Sequence, residues 1–337
     1  MPSAPMNRGG YPYQFDKEIA KMVYGKYADY PKQFDKIAKI SNFPAGKTYT
    51  EAEISPLGAL RAMGEGESIS YDVPVEGHRK SIQTVKFGLG FQKTEEMTAD
   101  ELFNMSTKMS ASLSRAAVVC AETAFWNLFA NAFTATTGTL CWDDKPVFAT
   151  NHSTLKSGTT INNKGTAALS QTALEAAFEY YDNLVDEAGM KIMLQPNTLV
   201  IPNTLKWVAN DILKATGRIW DYSGTGADRT RGLLSIQSSP VVQGPNNGLM
   251  NTVNPSNGIV DSWRIFVSRY LSDSSGSGAA NDWYFLSDEH DFRFMWKKKP
   301  TMSSSSDFDT DNDLYKLIMR FAVGVFDYKG AYGAQVS

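Results

Sequence analysis

The sequence predicts an α+β fold, and three observations carry that prediction. The stretch MTADELFNMSTKMSASLSRAAVVCAETAFWNLFANAF (Met97 to Phe133) holds neither Pro nor Gly and repeats apolar residues at helical spacing. Two shorter stretches alternate with a period of two: Ile69, Tyr71, Val73 and Val75, then Val85, Phe87, Leu89 and Phe91. A third alternating run, Tyr315, Leu317, Met319, Phe321, Val323 and Val325, lies near the C-terminus. One long helix beside long strands, without regular strand–helix alternation, is the α+β pattern.

Composition bounds the function. A chain of 337 residues can build a large core divided between two domains. Hydrophobic residues make up 42% and charged residues 20%, the balance of a soluble globular protein. No apolar run approaches the roughly 20 residues that span a bilayer, so a membrane role is not expected. The N-terminus, MPSAPMNRGGYPYQFDKE, lacks the apolar core of a secretory signal. Two cysteines, Cys120 and Cys141, suit a reducing cytoplasm. A net charge of −3 argues against a protein that lives by gripping phosphates. Yet residues 1–48 carry eight lysines and arginines against four acids, a basic, aromatic-rich arm on an acidic body.

The elements follow in order. The arm holds QFDK twice, at Gln14–Lys17 and Gln33–Lys36, too short to be a repeat. The two alternating runs, joined by EGHRKS (Glu76 to Ser81), predict a projecting β-hairpin with His78 at its tip. Thr98 and Glu101 form a capping box that opens the long helix. Its inner stripe is expected to be Leu102, Met105, Met109, Leu113, Ala117, Cys120, Ala124 and Leu128. A second helix is expected from the box Thr172–Glu175 to Gly189, burying Leu174, Ala177, Phe178, Tyr181, Leu184 and Val185. Then come a short strand (Thr198 to Ile201), Pro202, and a third helix capped by Asn203, with Leu205, Val208, Ala209 and Ile212 inside. Residues 218–255 read as loops around one short strand. WRIFVSRYL, DWYFLS, FRFMW and the C-terminal alternating run are strands.

No motif points to catalysis. SNFPAGKT (Ser41 to Thr48) ends like a phosphate-binding loop, but Ser41 stands where its first glycine belongs. Of the three histidines, His78 and His290 are expected in solvent, and His152 lies near Asp143 and Asp144 without a nucleophile motif. A hydrolase built on His152 is the reading from a different functional class. DFDTDND places Asp307, Asp309 and Asp311 at calcium-loop spacing, but Ile318 occupies the position of the bidentate Glu. No cofactor, metal or catalytic residue is therefore assigned. That acidic run ends the stretch KKKPTMSSSSDFDTDND (Lys297 to Asp313), where three lysines and four aspartates flank a serine run. A metal site, a flexible linker and a contact for another molecule are its three readings.

The order of these elements resembles the major capsid proteins of tailed bacteriophages, the Hong Kong 97-type fold. PNTLVIPNTLKWVANDIL resembles the family's strand–Pro–helix segment, DDKPVFATNHSTL a stretch found in Mu-like head proteins, and RFAVGVFDYKGAYG the closing strand. The resemblance implies an N-terminal arm over residues 1–55 and an E-loop hairpin over 56–95. It implies a peripheral domain with the spine helix over 96–165 and 289–337, and a compact axial domain over 166–288. It further implies a structural protein that self-assembles as hexamers and pentamers into an icosahedral shell around double-stranded DNA. Portal protein, and scaffold or decoration proteins, would be its partners, and the virion its place, after assembly in the bacterial cytoplasm. Some relatives carry a cleaved scaffolding segment for which this arm leaves no room, so a separate scaffold or none is expected. A bacterial nanocompartment shell of the same fold is the nearer alternative.

The resemblance also directs the charged stretch to a contact between copies. Lys297, Lys298 and Lys299 are expected to meet Asp307, Asp309, Asp311 or Asp313 of the next subunit around three-fold positions, with the serines as the turn. His78, Arg79 and Lys80 of the hairpin, and Tyr11, Tyr13 and Phe15 of the arm, are expected to contact neighbours. The arm is expected to order on assembly, with Lys17, Lys21 and Lys26 facing packaged phosphate.

Overall fold

Bulky aromatics in the long apolar stretch decide how it sits. The structure is a computed structural model that describes residues 12–94, 105–136, 138–214, 263–271, 281–307 and 312–336. Helix α1 is Pro12–Asp29 and helix α2 is Met105–Ala130. At about 1.5 Å per residue, the 26 residues of α2 span about 39 Å. Leu113, Ala117 and Leu128 are buried as expected, but Met109 is exposed and Cys120 and Ala124 are half-buried. The buried face is rotated towards Ala121, Phe125, Trp126 and Phe129, because the large rings gain most by burial. The box Thr98–Glu101 lies outside the described residues.

The described part of the arm begins with a helix. Pro12 occupies the first position of α1, where its missing N–H costs nothing. The helix packs on α2 within the same chain: Val23 is fully buried, and the Ser114 hydroxyl donates to the Val23 carbonyl at 3.0 Å. A 3-10 turn, Phe34–Lys36, then drops Phe34 into the core against Phe294, ring centroids 4.6 Å apart. Strand β1 (Lys39–Asn42) pairs in parallel with β11 (Phe292–Ser306).

Four strands form the first sheet in the order β1, β11, β12, β4, where β4 is Val85–Lys93 and β12 is Asp313–Val325. One face, with Phe292, Phe294, Leu317, Met319 and Phe321, meets α2. The other face, with Met295, Ala322 and Phe326, takes Ile82 and Phe43. Ile82 belongs to β3 (Glu76–Gln83), which pairs antiparallel with β2 (Thr48–Ile54). Gly324 makes room for it, since a Cβ there would stand 2.3 Å from Ile82 Cδ1. EGHRKS is therefore strand and not turn, and the predicted hairpin is displaced. Its true strands are β2 and β3, and residues 55–75 form the loop between them.

The second sheet has the order β7, β13, β10, β8, β9: Lys164–Gly165, Ala331–Ala334, Trp283–Ser287, Pro196–Pro202 and Arg264–Ser268. The C-terminal run does not close one sheet. It leaves the first sheet after Val325 and enters the second as β13. Val200, Phe266, Tyr284 and Leu286 join the α2 core, with Trp126 stacked on Phe266 at 5.7 Å. Leu199, Ile201, Trp283 and Phe285 point the other way, towards α3 (Gln171–Asp182) and α4 (Lys206–Lys214). Ser170, not Thr172, caps α3 by accepting from the Ala173 amide. The helix ends at Asp182; Gly189, at φ +87°, serves instead the turn in which Asp186 N–H donates to Met190 O. Pro202 opens a 3-10 turn, Asn203–Leu205, without a side-chain cap on that turn, and the chain continues into α4. Two short strands, β5 (His152–Ser153) and β6 (Thr160–Ile161), pair near the base of the projecting loop.

Candidate assembly surfaces

The loop over 55–75 is pinched shut at its base, where the Ser55 amide donates to Val75 O (2.9 Å) and the Val75 amide to Ser55 Oγ (3.0 Å). Beyond that neck it exposes Leu57, Leu60, Met63, Ile69, Tyr71 and Val73; Leu60 and Tyr71 are over 90% exposed. The alternation at Ile69–Val75 thus marks side chains that their own chain leaves uncovered. Polar contacts hold the loop's shape. Asp72 accepts from Lys156 Nζ (2.5 Å) and the Gly58 amide (2.7 Å), which bring its carboxyl down to about 2. Arg61 pairs with Glu67 at 2.5 Å.

Strand β3 divides the three expected contact residues. His78 is half-exposed with Nδ1 3.3 Å from Glu53 Oε2, and Arg79 is exposed beside Glu76. Lys80 turns inward and donates to the carbonyls of Leu140 and Val325, over the Phe326 ring. Burial pushes its pKa down. Lys80 is therefore corrected from a subunit contact to a buried brace between β3 and the end of β12.

The charged stretch is also rearranged. Ser303 to Ser306 continue β11 and pair with Lys316 to Asp313, so the serines are strand. β11 and β12 are joined through the acidic run, and at its ends Asp307 N–H donates to Asn312 O at 2.9 Å; Asp309 and Asp311 lie outside the described residues. The ladder is irregular between Trp296 and Thr301, where Pro300 has no donor to give. Lys297 Nζ donates to Pro44 O (2.7 Å), while Lys298 and Lys299 are exposed. Lys299 and Asp307 are eight residue steps apart along this arm, about 26 Å at 3.3 Å each. Lys299 and Asp307 of one copy are therefore too far apart to pair. Asp313 stands opposite Lys93 in register.

Tyr11 lies outside the described residues, and Tyr13 and Phe15 fall in α1 with their side chains outside the described ones. Tyr24 is partly exposed, its hydroxyl accepting from the Met302 amide at 3.1 Å. Burial, then Asp35 and Glu122, push the Tyr27 hydroxyl up to about 12. Glu122 itself was missed by sequence reasoning. It is buried, accepts from the Phe34 amide (3.2 Å) and Trp126 Nε1 (2.9 Å), and also takes the Gln33 amide. It is the one acid between Met105 and Phe133, and that isolation is the signal that could have found it.

The histidines do not form a reactive site. His152 is sealed from solvent, with Nδ1 2.7 Å from Asp143 Oδ2 and its ring stacked on Tyr328 at 3.8 Å. Burial would raise Asp143, but the His152 hydrogen bond and charge outweigh it and hold that carboxyl low. A base without solvent access meets no substrate. His290 is buried too, contrary to expectation, and burial lowers its pKa to about 4. Ser41–Thr48 runs from the end of β1 through a turn over 43–47, with Gly46 at φ +105°, to the first residue of β2, and opens no helix. Among the described residues, no three His, Cys, Asp or Glu side chains gather as a metal site, and no helix is long and apolar enough to cross a membrane.

A family model described as phage capsid protein matches residues 79–334. Solved structures share the fold at low identity. The capsid of cyanophage P-SCSP1u is 15% identical with a TM-score of 0.55, covering 91% of this chain and 88% of that one. The mature capsid of bacteriophage PhiM1 is 11% identical, also at 0.55, with the same coverage. The capsid of a native GTA particle is 10% identical at 0.53, covering 90% of each chain. No curated protein sequence matches the chain.

Proposed function

The chain belongs to the phage capsid protein family, and we propose that its copies join as hexamers and pentamers into an icosahedral shell around double-stranded DNA. The role is structural. The observation that carries it is the loop over 55–75, whose apolar side chains project beyond a hydrogen-bonded neck with nothing of their own chain to cover them. A second copy supplies the missing cover, and repetition of that contact turns subunits into capsomers. Lysines and aspartates about 26 Å apart on one hairpin arm suit pairing between adjacent arms, in which Lys298 and Lys299 meet Asp307, Asp309, Asp311 or Asp313 of the next copy. Portal protein, and scaffold or decoration proteins, complete the particle, which assembles in the host cytoplasm and becomes the virion's capsid.

Electron microscopy of the overexpressed protein tests the reading: closed shells with five-fold vertices are expected. Dispersed monomers under all assembly conditions would overturn it. A nanocompartment shell is separated by content, since particles filled with cargo protein instead of nucleic acid would favour that alternative.

A further inference from the structure

One face of the hairpin arm built by β4, β12 and β11 carries cations and no acid. Lys86 on β4, Arg320 on β12 and Lys298 on β11 stand directly across from one another in register. The next three rows of that face are Gly88–Ile318–Thr301, Gly90–Lys316–Ser303 and Gln92–Leu314–Ser305. Strand residues alternate between faces and paired residues share one, so all four rows look the same way. It is the side of Ala322, because Leu317, Met319 and Phe321 take the α2 side. Ile82 and Phe43 cover Met295 and Ala322 there, whereas Lys86, Lys298 and Lys316 are exposed.

That arrangement is unfavourable in an isolated subunit. Like charges directly opposite one another on adjacent strands repel. Lys86, Lys298, Lys316 and Arg320 have no ion-pair partner among the described residues, and Arg320 Nε is buried without a hydrogen-bond partner. Lys297 does not join them, since its Nζ donates to Pro44 O. A chain of net charge −3 thus keeps one sheet face clear of carboxylates. Carboxylates brought by a partner would relieve the repulsion and supply the acceptor that Arg320 lacks.

We infer that this face, centred on Arg320 and flanked by Lys86 and Lys316, is the docking site for the acidic run (residues 307–313) of a second copy; this rests on the capsid reading above. Charge selects the occupant, because four aspartates in seven residues match four cations. Position selects it too, because the run stands at the end of the same arm. Arg320 lies seven residue steps from Asp313, about 23 Å at 3.3 Å each, out of reach of its own chain's run. A neighbouring arm, lapped tip over base, brings its aspartates onto the row. Arginine suits the centre of that row, since a guanidinium can donate two hydrogen bonds to one carboxylate. The contact is head-to-tail, and its repetition around an axis closes a ring.

Cross-linking of the assembled full-length protein tests the contact directly. Isotopically heavy and light copies are mixed before assembly and treated with a carbodiimide, which joins an amine to a carboxylate it touches. Mass spectrometry is expected to find Lys86 or Lys316 of one copy joined to residues 307–313 of the other. Links from that run to other lysines only would overturn the inference. Charge reversal tests the energetics: Lys86→Glu with Arg320→Glu, leaving Lys298 and Lys299 in place, should abolish closed shells. Asp309→Lys with Asp311→Lys in the same chain should restore them. Circular dichroism checks folding, and Lys86→Glu with Lys316→Glu, both at exposed positions, replaces the first pair if that one misfolds. Normal shells from the cation variants overturn the inference, as does failure of the acidic reversal to rescue them. A labelled duplex oligonucleotide bound by wild-type subunits and lost in the cation variants would mark a nucleic-acid site and overturn it too. Wild-type micrographs are scored first: absence of shells refutes the capsid reading, whereas wild-type shells with normal cation variants refute this inference alone.

Discussion

Replacing Glu53 with glutamine is expected to remove a block of pH-dependent instability at the base of the projecting loop. Glu53 on β2 is 5% exposed and faces Glu187, which is 3% exposed. Glu187 accepts from Lys329 Nζ and from the Leu155 amide, and His78 approaches Glu53 at 3.3 Å. Burial, then the charge of Glu187 and its hydrogen bond, raise the Glu53 carboxyl from 4.5 to about 7, against the pull of His78 and Lys329. The folded chain therefore holds a proton that the unfolded chain releases between those values. Stability is highest below the unfolded value, falls as pH rises through the interval, and levels off above about 7. At about 1.4 kcal/mol per unit the loss is about 3 kcal/mol.

A glutamine side chain at this position keeps an N–H donor for Glu187 and cannot ionise, so the loss should vanish. Urea unfolding of unassembled subunits at pH 5 and pH 8 measures it. The difference between wild type and Glu53→Gln cancels other titrating groups, Asp143 and His290 among them. Wild type should lose about 3 kcal/mol more than the variant across that range. Equal losses would refute the reasoning. Glu187→Gln is the contrasting change, since it weakens the ion pair to buried Lys329 and should destabilise the chain at both pH values.

Deleting Leu60–Tyr71 should spare the helical signal of the subunit and abolish shells in micrographs; normal shells would show that the loop is dispensable. Glu122→Ala leaves the amides of Gln33 and Phe34 and the Trp126 indole without their acceptor, at a cost of about 3 kcal/mol or more. Urea unfolding should show that loss, and limited proteolysis should find the segment near Gln33 newly cleavable. Changing Lys297, Lys298 and Lys299 to Glu should block shell closure, and changing the acidic run to Lys in the same chain should restore it. Normal assembly of the lysine variant would end the pairing hypothesis. Exposed pairs are worth about 0–1 kcal/mol each and are screened by salt, so capsomer joining should fail in high salt before the capsomers do.

What is legible in the sequence, and what is not, follows from which side chains find their own partners. The spine helix can be read because an unbroken stretch of helix formers ends in Phe125, Trp126 and Phe129, rings large enough to dictate burial. Its rotation cannot, since Ala, Ser and Cys fit either margin of the face. Strand β3 resembles a turn in sequence because it is polar. Yet Lys80 lies inward, satisfied by two backbone carbonyls about 60 and 245 residues away in sequence, and no local pattern reveals partners so distant. The opposite error arises over 69–75, where alternation suggests a strand pairing at home. Those side chains face outward, so the period of two records a demand for burial and is silent about which molecule meets it. The same ambiguity governs Lys297–Asp313. Its segregated charges suggest a contact, but the serines between them suggest a turn although they pair residue for residue with β12. A polar run can lengthen a strand when the purpose of the strand is reach. Two kinds of residue defeat a local reading here: Lys80 and the serines, whose partners are distant in the same chain, and residues 69–75, which their own chain leaves uncovered.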